Sequence, residues 1–254
     1  MPKTTRKAGS TAASKMQGVG GIKNIITQTD PSWNVILKRL GRMGRTYGFQ
    51  RVETPIIDDP APFEQYYKDS ANASIPAVME VSGKPMMVRP VMLPQILRSY
   101  AGLKDMEEKP LSKWLYAGNI MRPTDGGLIS EYEFGLEVLG AFTHLTEAQT
   151  IAAVWHLVQG LGLEEAILEI NTIGDASSQS TYGSVLYDFL SLKKFELCDV
   201  CNEALDARVF DVLRCSNLEC QVLLAEAPTV LDFLDDNSQK HFTLVLEALD
   251  ELQI

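Results

Sequence analysis

Histidine is scarce in this sequence. It occurs three times in 254 residues, at His144, His156 and His241, and no two of these have the spacing of metal ligands. We therefore predict structural or surface positions for all three. A glycine-rich phosphate loop is also absent, and so is a serine–histidine–aspartate arrangement. These absences argue against a histidine-ligated metal enzyme, a P-loop nucleotidase and a serine hydrolase.

Long hydrophobic runs are absent as well. No apolar run reaches the length of a membrane span, so we expect no membrane partner. Residues 1–18 carry four basic residues and no acidic one, and they lack the apolar centre of a secretory signal. They are predicted to be a flexible basic tail. The formal net charge of -10 argues against a generally basic nucleic-acid surface, although it leaves a local basic patch open.

Cysteine is sparse, and its four occurrences are close together, at Cys198, Cys201, Cys215 and Cys220. A CxxC pair followed after 13 residues by a second close pair suits tetrahedral ligation of a structural zinc ion. The chain is acidic and has no signal sequence, so we expect a reducing, cytoplasmic location in which disulfides are rare. The alternative is a set of free or partly buried thiols.

The remaining composition is that of a globular protein, with 45% hydrophobic and 22% charged residues. Helical spacing and capping patterns predict helices at 30–47, 94–102, 146–161, 175–192, 218–225, 229–234 and 239–252. Alternation and turn signals predict strands at 51–57, 78–81, 86–89, 113–122, 130–139 and 166–173. In the first half, turns and not crossover helices join the strands. This pattern favours an α+β fold with a mostly antiparallel sheet flanked by helices.

The most informative stretch is 112–140, which is predicted to be a β-hairpin with its turn at 123–127. Four apolar residues on one face of its second strand are expected to pack on a core. The other face carries Glu131, Glu133, Gly135 and Glu137. The glycine is expected to leave room for a ligand against the sheet. Arg122, near the turn, is placed to hold an anionic group. An ordinary solvated sheet face is the alternative.

The order of several motifs resembles the catalytic core of the histidine–tRNA ligase family, whose members are class II aminoacyl-tRNA synthetases. In chain order these motifs are GIKNI at 21–25, YGFQRVETPIIDDPAPF at 47–63, MMVRPVMLP at 86–94, WLYAGNIMRP at 114–123, EYEFGLEVLG at 131–140 and LEINTIGD at 168–175. The region from 197 to 254 resembles the cysteine-bearing connecting segment of some bacterial members. Each motif is weak alone, whereas their order is specific.

The resemblance implies a partial class II catalytic core over residues 19–254, with the cysteine segment at about 196–222. It also implies ATP-dependent activation of L-histidine, with Mg²⁺ bridging the phosphates, and transfer to tRNA(His). Arg122 matches the family's catalytic and ATP-binding arginine of motif 2. Arg89, Glu133 and Glu137 match positions of the histidine site. The motif 1 resemblance around Pro55 implies a homodimer.

Some positions depart from the family's pattern. Val91 and Leu93 occupy the places of the glutamate and threonine that hold the substrate's ammonium group, Glu133 that of a glutamine, and Thr124 that of a glutamate. A buried ammonium without acceptors is costly, so weak ATP binding and little histidyl-adenylate are expected from this chain alone.

The family's motif 3 and anticodon-binding domain are expected after residue 254, which indicates an incomplete or divergent ligase. One alternative is a non-catalytic paralogue such as the regulatory subunit of ATP phosphoribosyltransferase. A second is an interaction module that keeps only the dimer fold.

Overall fold

A computed structural model describes residues 31–69, 76–103, 111–124, 126–140 and 143–254. The predicted basic tail and the GIKNI motif lie outside these residues. The chain divides into two compact units, Met1–Ala141 and Phe142–Ile254. Among the described residues, no helix is long and apolar enough to cross a membrane.

The first unit combines two three-stranded sheets with helices. Its elements are α1 (Ser32–Tyr47), β1 (Gln50–Val52), β2 (Ile57–Asp58), α2 (Glu64–Asp69), β3 (Ala77–Val81), β4 (Lys84–Val88), α3 (Leu93–Ala101), β5 (Ser112–Thr124) and β6 (Gly127–Leu139). One sheet has the order β1-β5-β6 and the other β2-β4-β3. Among the strand pairs of the described residues, β1–β5 is parallel and the others are antiparallel. The predicted α+β class, with mostly antiparallel pairing, is confirmed.

Helix α1 follows its predicted amphipathic pattern. Leu40 and Met43 are buried on its inner stripe, and Gly44 approaches Leu115 of β5 so closely that a Cβ there would lie 2.8 Å from the leucine side chain. Gly48 ends the helix in a left-handed conformation with φ of 75°, as the sequence predicted. The glycine at 44 therefore lets the helix backbone pack against the central strand.

The strand predicted at 51–57 is wrong as a single element. The structure contains β1 before Pro55 and β2 after it, and the two strands belong to different sheets. Proline has no main-chain N–H to donate to a ladder, so the chain changes sheets around this residue.

The second unit is helical. Its helices are α4 (His144–Gly160), α5 (Ala176–Leu192), α6 (Asp199–Ala207), α7 (Val209–Val212), α8 (Leu218–Leu224) and α9 (Asp236–Glu251), with 3₁₀ turns at Lys194–Glu196 and Val230–Phe233. One core cluster joins α5, α6 and α8 through Leu186, Leu190, Leu205, Cys220 and Leu223. A second joins α4 to α9 through Ala148, Val245 and Leu249.

The strand predicted at 166–173 is also wrong, because this segment has no regular structure. Ile170 packs on the cluster between α4 and α9, whereas Ile167 and Ile173 are 85% and 72% exposed. Burial does not alternate strictly along this segment, since Leu168, two residues before Ile170, is 36% exposed. A strand also needs a neighbour for its ladder, and none of the described segments pairs with this one.

Candidate functional site

The predicted hairpin is confirmed as β5 and β6, which pair in one antiparallel register over their whole length. Residues directly opposite each other in such a ladder share one face. Glu137 lies opposite Trp114, Gly135 opposite Tyr116, Glu133 opposite Gly118 and Glu131 opposite Ile120. Arg122 lies opposite Ile129. We call this side of the hairpin, defined by these residues, the carboxylate face.

The carboxylate face is the one that packs on α3. Met92 and Ile96 form a buried cluster with Trp114, Tyr116 and Ile120 of β5. The opposite face of β6 was expected to be the core face, yet Phe134 there is 40% exposed. The expectation holds in part: α1 packs on the opposite face at Leu115 and Tyr132, while α3 packs on the carboxylate face. The alternation along β6 could not show this, because the buried apolar residues of the carboxylate face, Trp114, Tyr116 and Ile120, belong to β5.

The room expected at Gly135 is filled by the protein itself. A Cβ at this position would lie 2.2 Å from the Tyr116 ring, so the ring lies directly over the glycine. The Tyr116 hydroxyl donates a hydrogen bond to Oε1 of Glu137 over 3.1 Å. Burial raises the pKa of Glu137, and burial with the nearby Glu137 and Glu133 carboxylates raises the pKa of Tyr116. Because its pKa is raised, Tyr116 keeps its hydroxyl proton near neutral pH and donates it in the hydrogen bond to Glu137.

Glu133 connects β6 to the turn before α3. Its Oε1 accepts a hydrogen bond from the main-chain N–H of Met92 over 3.0 Å. Gly118 lies opposite Glu133, and a Cβ at Gly118 would lie 2.7 Å from Nη2 of Arg89. Gly118 and Gly135 thus leave room for the Arg89 guanidinium group and the Tyr116 ring beside the carboxylates of β6.

Arg89 is 3% exposed and bonds mainly to the main chain. Its Nε donates to the Asn119 carbonyl over 2.9 Å, and its Nη1 donates to the carbonyls of Thr54 and Pro55 and to the Thr54 hydroxyl. Burial lowers the pKa of Arg89, and the charge of Glu133 opposes this change. These contacts give Arg89 a positioning role; its predicted contact with histidine stays a prediction.

Arg122 lies at the turn end of the carboxylate face, away from Glu137. Its Nε is 3.1 Å from Oε2 of Glu131, and the two side chains are 43% and 44% exposed. An exposed ion pair of this kind contributes at most about 1 kcal/mol. The ion pair therefore holds Arg122 only weakly, and the buried Nε of Arg122 makes no hydrogen bond among the described residues.

Two tyrosines of α2 were not predicted to belong to the site. Burial and the charges of Glu133 and Glu137 raise the pKa of Tyr66. Burial, followed by Tyr66, Asp58 and Glu133, raises the pKa of Tyr67 to about 12. The buried Tyr67 hydroxyl has no hydrogen-bond partner among the described residues. The sequence signal was the YY pair at 66–67, in a stretch that lies outside all the predicted helices and strands.

The four cysteines come together in the second unit: Cys198 and Cys201 lie at the start of α6, Cys215 lies between α7 and α8, and Cys220 lies in α8. Their four Sγ atoms lie within 4.8 Å of one another, and Cys198 and Cys215 have their Sγ atoms 3.7 Å apart. Tetrahedral zinc with bonds of about 2.3 Å requires sulfur atoms roughly 3.8 Å apart. The main-chain N–H of Cys198 donates to Sγ of Cys220. The spacing and chemistry of these donors fit a thiolate-bound zinc ion.

The thiol environments differ within this cluster. A main-chain hydrogen bond from Cys201 lowers the pKa of Cys198 to about 7. Burial raises the pKa of Cys201 and of Cys220. All four residues are free cysteines.

Comparison with known proteins gives consistent results. A family model described as Histidyl-tRNA synthetase matches residues 24–195. A histidine–tRNA ligase of Dehalococcoides mccartyi is 27% identical over 246 residues, which are 94% of this chain and 58% of that protein. A histidine–tRNA ligase of Streptococcus equi subsp. equi has the same identity and coverage over 249 residues. The chain thus spans a little over half the length of these curated relatives.

Solved structures show the same fold. The apo histidyl-tRNA synthetase of S. aureus matches with a TM-score of 0.71 at 23% identity, over 94% of this chain and 55% of that one. A protein of Bacillus halodurans, described as an ATP phosphoribosyltransferase regulatory subunit/histidyl-tRNA synthetase, matches with a TM-score of 0.59 at 15% identity, over 93% and 65%. The regulatory-subunit likeness is the more distant of the two.

Proposed function

Because this chain belongs to the histidyl-tRNA synthetase family, we propose that its carboxylate face binds L-histidine and ATP, as part of a histidine–tRNA ligase-like protein. The observation that carries the proposal is the order of groups on one face. Glu137 with Tyr116 lies at one end, Glu133 with Arg89 lies in the middle, and Arg122 lies at the turn end. A substrate lying along the hairpin would face the carboxylates of Glu137 and Glu133 at one end and the guanidinium group of Arg122 at the turn end.

Arg122 is the proposed ligand of the ATP α-phosphate. A guanidinium group matches the geometry of phosphate oxygens and stabilises the charge that develops as pyrophosphate leaves. When bound, Mg²⁺ with the ATP would neutralise the phosphates. Arg122 pairs with Glu131 on the same face.

Glu133, Glu137 and Arg89 are the proposed histidine-site residues. Glu137 and Glu133 supply acceptors, while Arg89 holds the Thr54–Pro55 segment and β5 in place from within the core. Transfer of the activated amino acid to tRNA(His) belongs to the same proposal for the whole protein.

The test is ATP binding together with histidine-dependent exchange of labelled pyrophosphate into ATP. We expect weak binding and slow exchange for this chain alone, because Val91 and Leu93 offer no acceptors. Arg122→Ala should weaken ATP binding by about tenfold to a hundredfold, since it removes a charged hydrogen-bond donor. The matched control is Arg51→Ala, which removes an exposed arginine that pairs with Glu53.

The outcomes separate the candidate functions. Exchange that rises when a second polypeptide is added, one matching the remaining part of the relatives, would identify a two-chain ligase. ATP binding that is equal in Arg122→Ala and the unmodified chain would contradict the proposed site. No exchange under any condition, with binding to an ATP phosphoribosyltransferase, would favour the regulatory paralogue, which the loss of acceptors at Val91 and Leu93 also suits.

We also propose a structural zinc ion held by Cys198, Cys201, Cys215 and Cys220. The support is the 3.7 Å approach of two Sγ atoms and the grouping of all four within 4.8 Å. When bound, the ion would tie the start of α6 to the start of α8. The alternative of four free thiols predicts no bound metal.

A further inference from the structure

The cysteine cluster contains two kinds of thiol. Cys201 and Cys220 are 2% and 0% exposed, and each lies inside a helix whose main-chain hydrogen bonds fix its position. Cys198 and Cys215 are half-buried and lie outside the helices. Cys198 is the residue before α6, and Cys215 is in the irregular stretch between α7 and α8. The side chains of this second pair can therefore turn without disturbing a helix.

The second pair also faces a cleft. Cys198 and Cys215 both line a space of about 770 Å³ within the second unit, and its walls include polar side chains such as Arg208 and Asn217. A polar cleft of this size admits water and small polar oxidants such as hydrogen peroxide. Cys201 contributes to the same wall but is buried, so Cys198 and Cys215 are the more accessible thiols.

The two accessible thiols are close to each other. Their Sγ atoms are 3.7 Å apart. A disulfide bond is about 2.05 Å long, so the sulfur atoms need to approach by about 1.7 Å, which is within the range of side-chain rotation. Cysteines that respond to oxidants combine an accessible sulfur atom with a second thiol within reach. Cys198 and Cys215 meet both conditions.

We propose that Cys198 and Cys215 are a modification site at which a peroxide produces a reversible disulfide. One thiol attacks hydrogen peroxide, which leaves a sulfenic acid on that cysteine and releases one water molecule. The second thiol attacks the sulfenic sulfur, so that the S–S bond forms and a second water molecule leaves. The two thiols lose two electrons in total and the peroxide is reduced to water. A dithiol reductant reverses the bond by thiol–disulfide exchange.

The disulfide competes with the proposed zinc ion for the same sulfur atoms. An ion that loses Cys198 and Cys215 keeps two of its four thiolate ligands, so oxidation should release it. This consequence rests on the proposed zinc site. The pairing of the two cysteines does not, because their distance and their access to the cleft are properties of the chain itself.

The experiment treats the 254-residue chain with a small excess of hydrogen peroxide, once as purified and once after chelation of metal. Disulfides are then mapped by mass spectrometry. Cleavage at Asp199 and at Glu219 separates all four cysteines into different peptides. We expect a disulfide between Cys198 and Cys215 in both samples, loss of two of the four free thiols, and recovery of both thiols with dithiothreitol. A zinc-binding dye should report release of metal from the sample that was not chelated.

A variant and its matched control follow the order of the two steps. Cys215→Ser should leave a sulfenic acid at Cys198 that a 1,3-diketone probe labels, because the thiol that resolves it is gone. Ser216→Ala, at the neighbouring residue, should form the same disulfide as the unmodified chain. Cooperative thermal unfolding of both variants confirms that they fold, and the mapping of the unmodified chain tests the pairing without any variant.

Three results would overturn the inference. They are a disulfide between Cys198 and Cys201 in place of the predicted one, sulfinic acid in place of any disulfide, and four reduced thiols after peroxide treatment of the chelated chain. Formation of the predicted disulfide without release of zinc would support the inference and count against the proposed zinc site alone, because the disulfide is measured independently of the metal.

Discussion

At the residue scale, Asp58 shows how a carboxylate fixes the region around the site. It accepts hydrogen bonds from both Nη atoms of Arg98, at 2.9 and 2.6 Å, and from Nε2 of Gln95 at 2.8 Å. Burial alone would raise the pKa of Asp58, but the hydrogen bonds from Arg98 and Gln95 outweigh burial and lower it. These bonds fasten β2 to the helix that covers the carboxylate face.

A lowered carboxyl pKa implies a defined dependence of stability on pH. The stabilisation is present above the unfolded pKa of about 3.9 and is lost as the pH falls through the folded value. Asp58→Asn should therefore lower the free energy of unfolding at pH 7, and the difference from the unmodified chain should shrink below about pH 4. Urea unfolding at pH 7 and pH 3 measures this. Asp188→Asn, at an exposed position of α5, should show no such difference.

The alternation of residues predicted which side chains of β6 share a face, but it did not predict which groups lie against that face. The alternation of β6 placed Glu131, Glu133 and Glu137 together, and the register confirms that arrangement. It could not indicate that Tyr116 covers Gly135, because that contact depends on the partner strand. Tyr66 and Tyr67 were missed for a similar reason, since a short helix after an irregular segment carries no periodic signal.

At the element scale, the start of α4 supplies a prediction about stability. The capping pattern predicted that this helix begins at residue 146, and that boundary is wrong because the helix begins at His144. Thr143 caps it, accepting a hydrogen bond from the Thr146 N–H at 3.2 Å, while its own N–H donates to the Thr146 hydroxyl at 3.1 Å. Both threonines fit the rule for a cap, and only the structure distinguishes the residue before the helix from the one inside it.

Thr143→Ala should cost about 1 kcal/mol of unfolding free energy, because it leaves a main-chain donor without its partner. Urea denaturation is the measurement. Thr150→Ala is the control, since the Thr150 hydroxyl only bonds back to the Thr146 carbonyl within the helix. An equal loss from both substitutions would show that side-chain volume matters here and capping does not.

The cysteine segment allows a prediction about metal removal. About one zinc ion per chain should accompany the purified protein, and chelation should loosen α6 and α8 because the ion ties them together. Elemental analysis and hydrogen exchange across 196–224 are the measurements. Cys215→Ser should lose the metal, whereas Ser216→Ala next to it should keep it. Metal-free protein with four freely titrating thiols would contradict the zinc proposal.

Elements that depend on a partner were the hardest to predict. The hairpin of β5 and β6 was predicted correctly because both strands and their turn are local in sequence. The segment at 166–173 and the strand through Pro55 were not, because pairing is decided by distant residues. Apolar residues with a period of two identify a segment that can form a strand. Whether the strand forms depends on a partner strand elsewhere in the fold.

At the scale of the whole molecule, the family assignment carries a prediction about assembly. Ile56 and Ile57 are exposed beside Pro55, and β2 is an edge strand of its sheet. An exposed apolar edge of this kind suits an isologous interface between two copies. We therefore predict a homodimer, and sedimentation should give twice the monomer mass. Ile57→Asp should shift it to the monomer, whereas Val78→Asp on the other edge strand should not.

A clean monomer at micromolar concentration, from a chain whose thermal unfolding is cooperative, would contradict the predicted dimer.

The curated relatives are longer than this chain, which spans 58% of their length. The family model and the solved structures agree on the family and the fold of this chain. Sequence order alone was enough to indicate the family, because several weak motifs in one sequence reinforce each other.

Arg89 binds Thr54 and Pro55 with one side of its guanidinium group and faces Gly118 and Glu133 with the other. The proposed histidine site and the proposed dimer interface are therefore both next to the same buried guanidinium group, that of Arg89. Linkage then requires reciprocity: if histidine strengthens association between copies, association strengthens histidine binding by the same factor. A titration at rising protein concentration would show this as a change in apparent affinity, with half-saturation moving to lower ligand concentration as the chains pair.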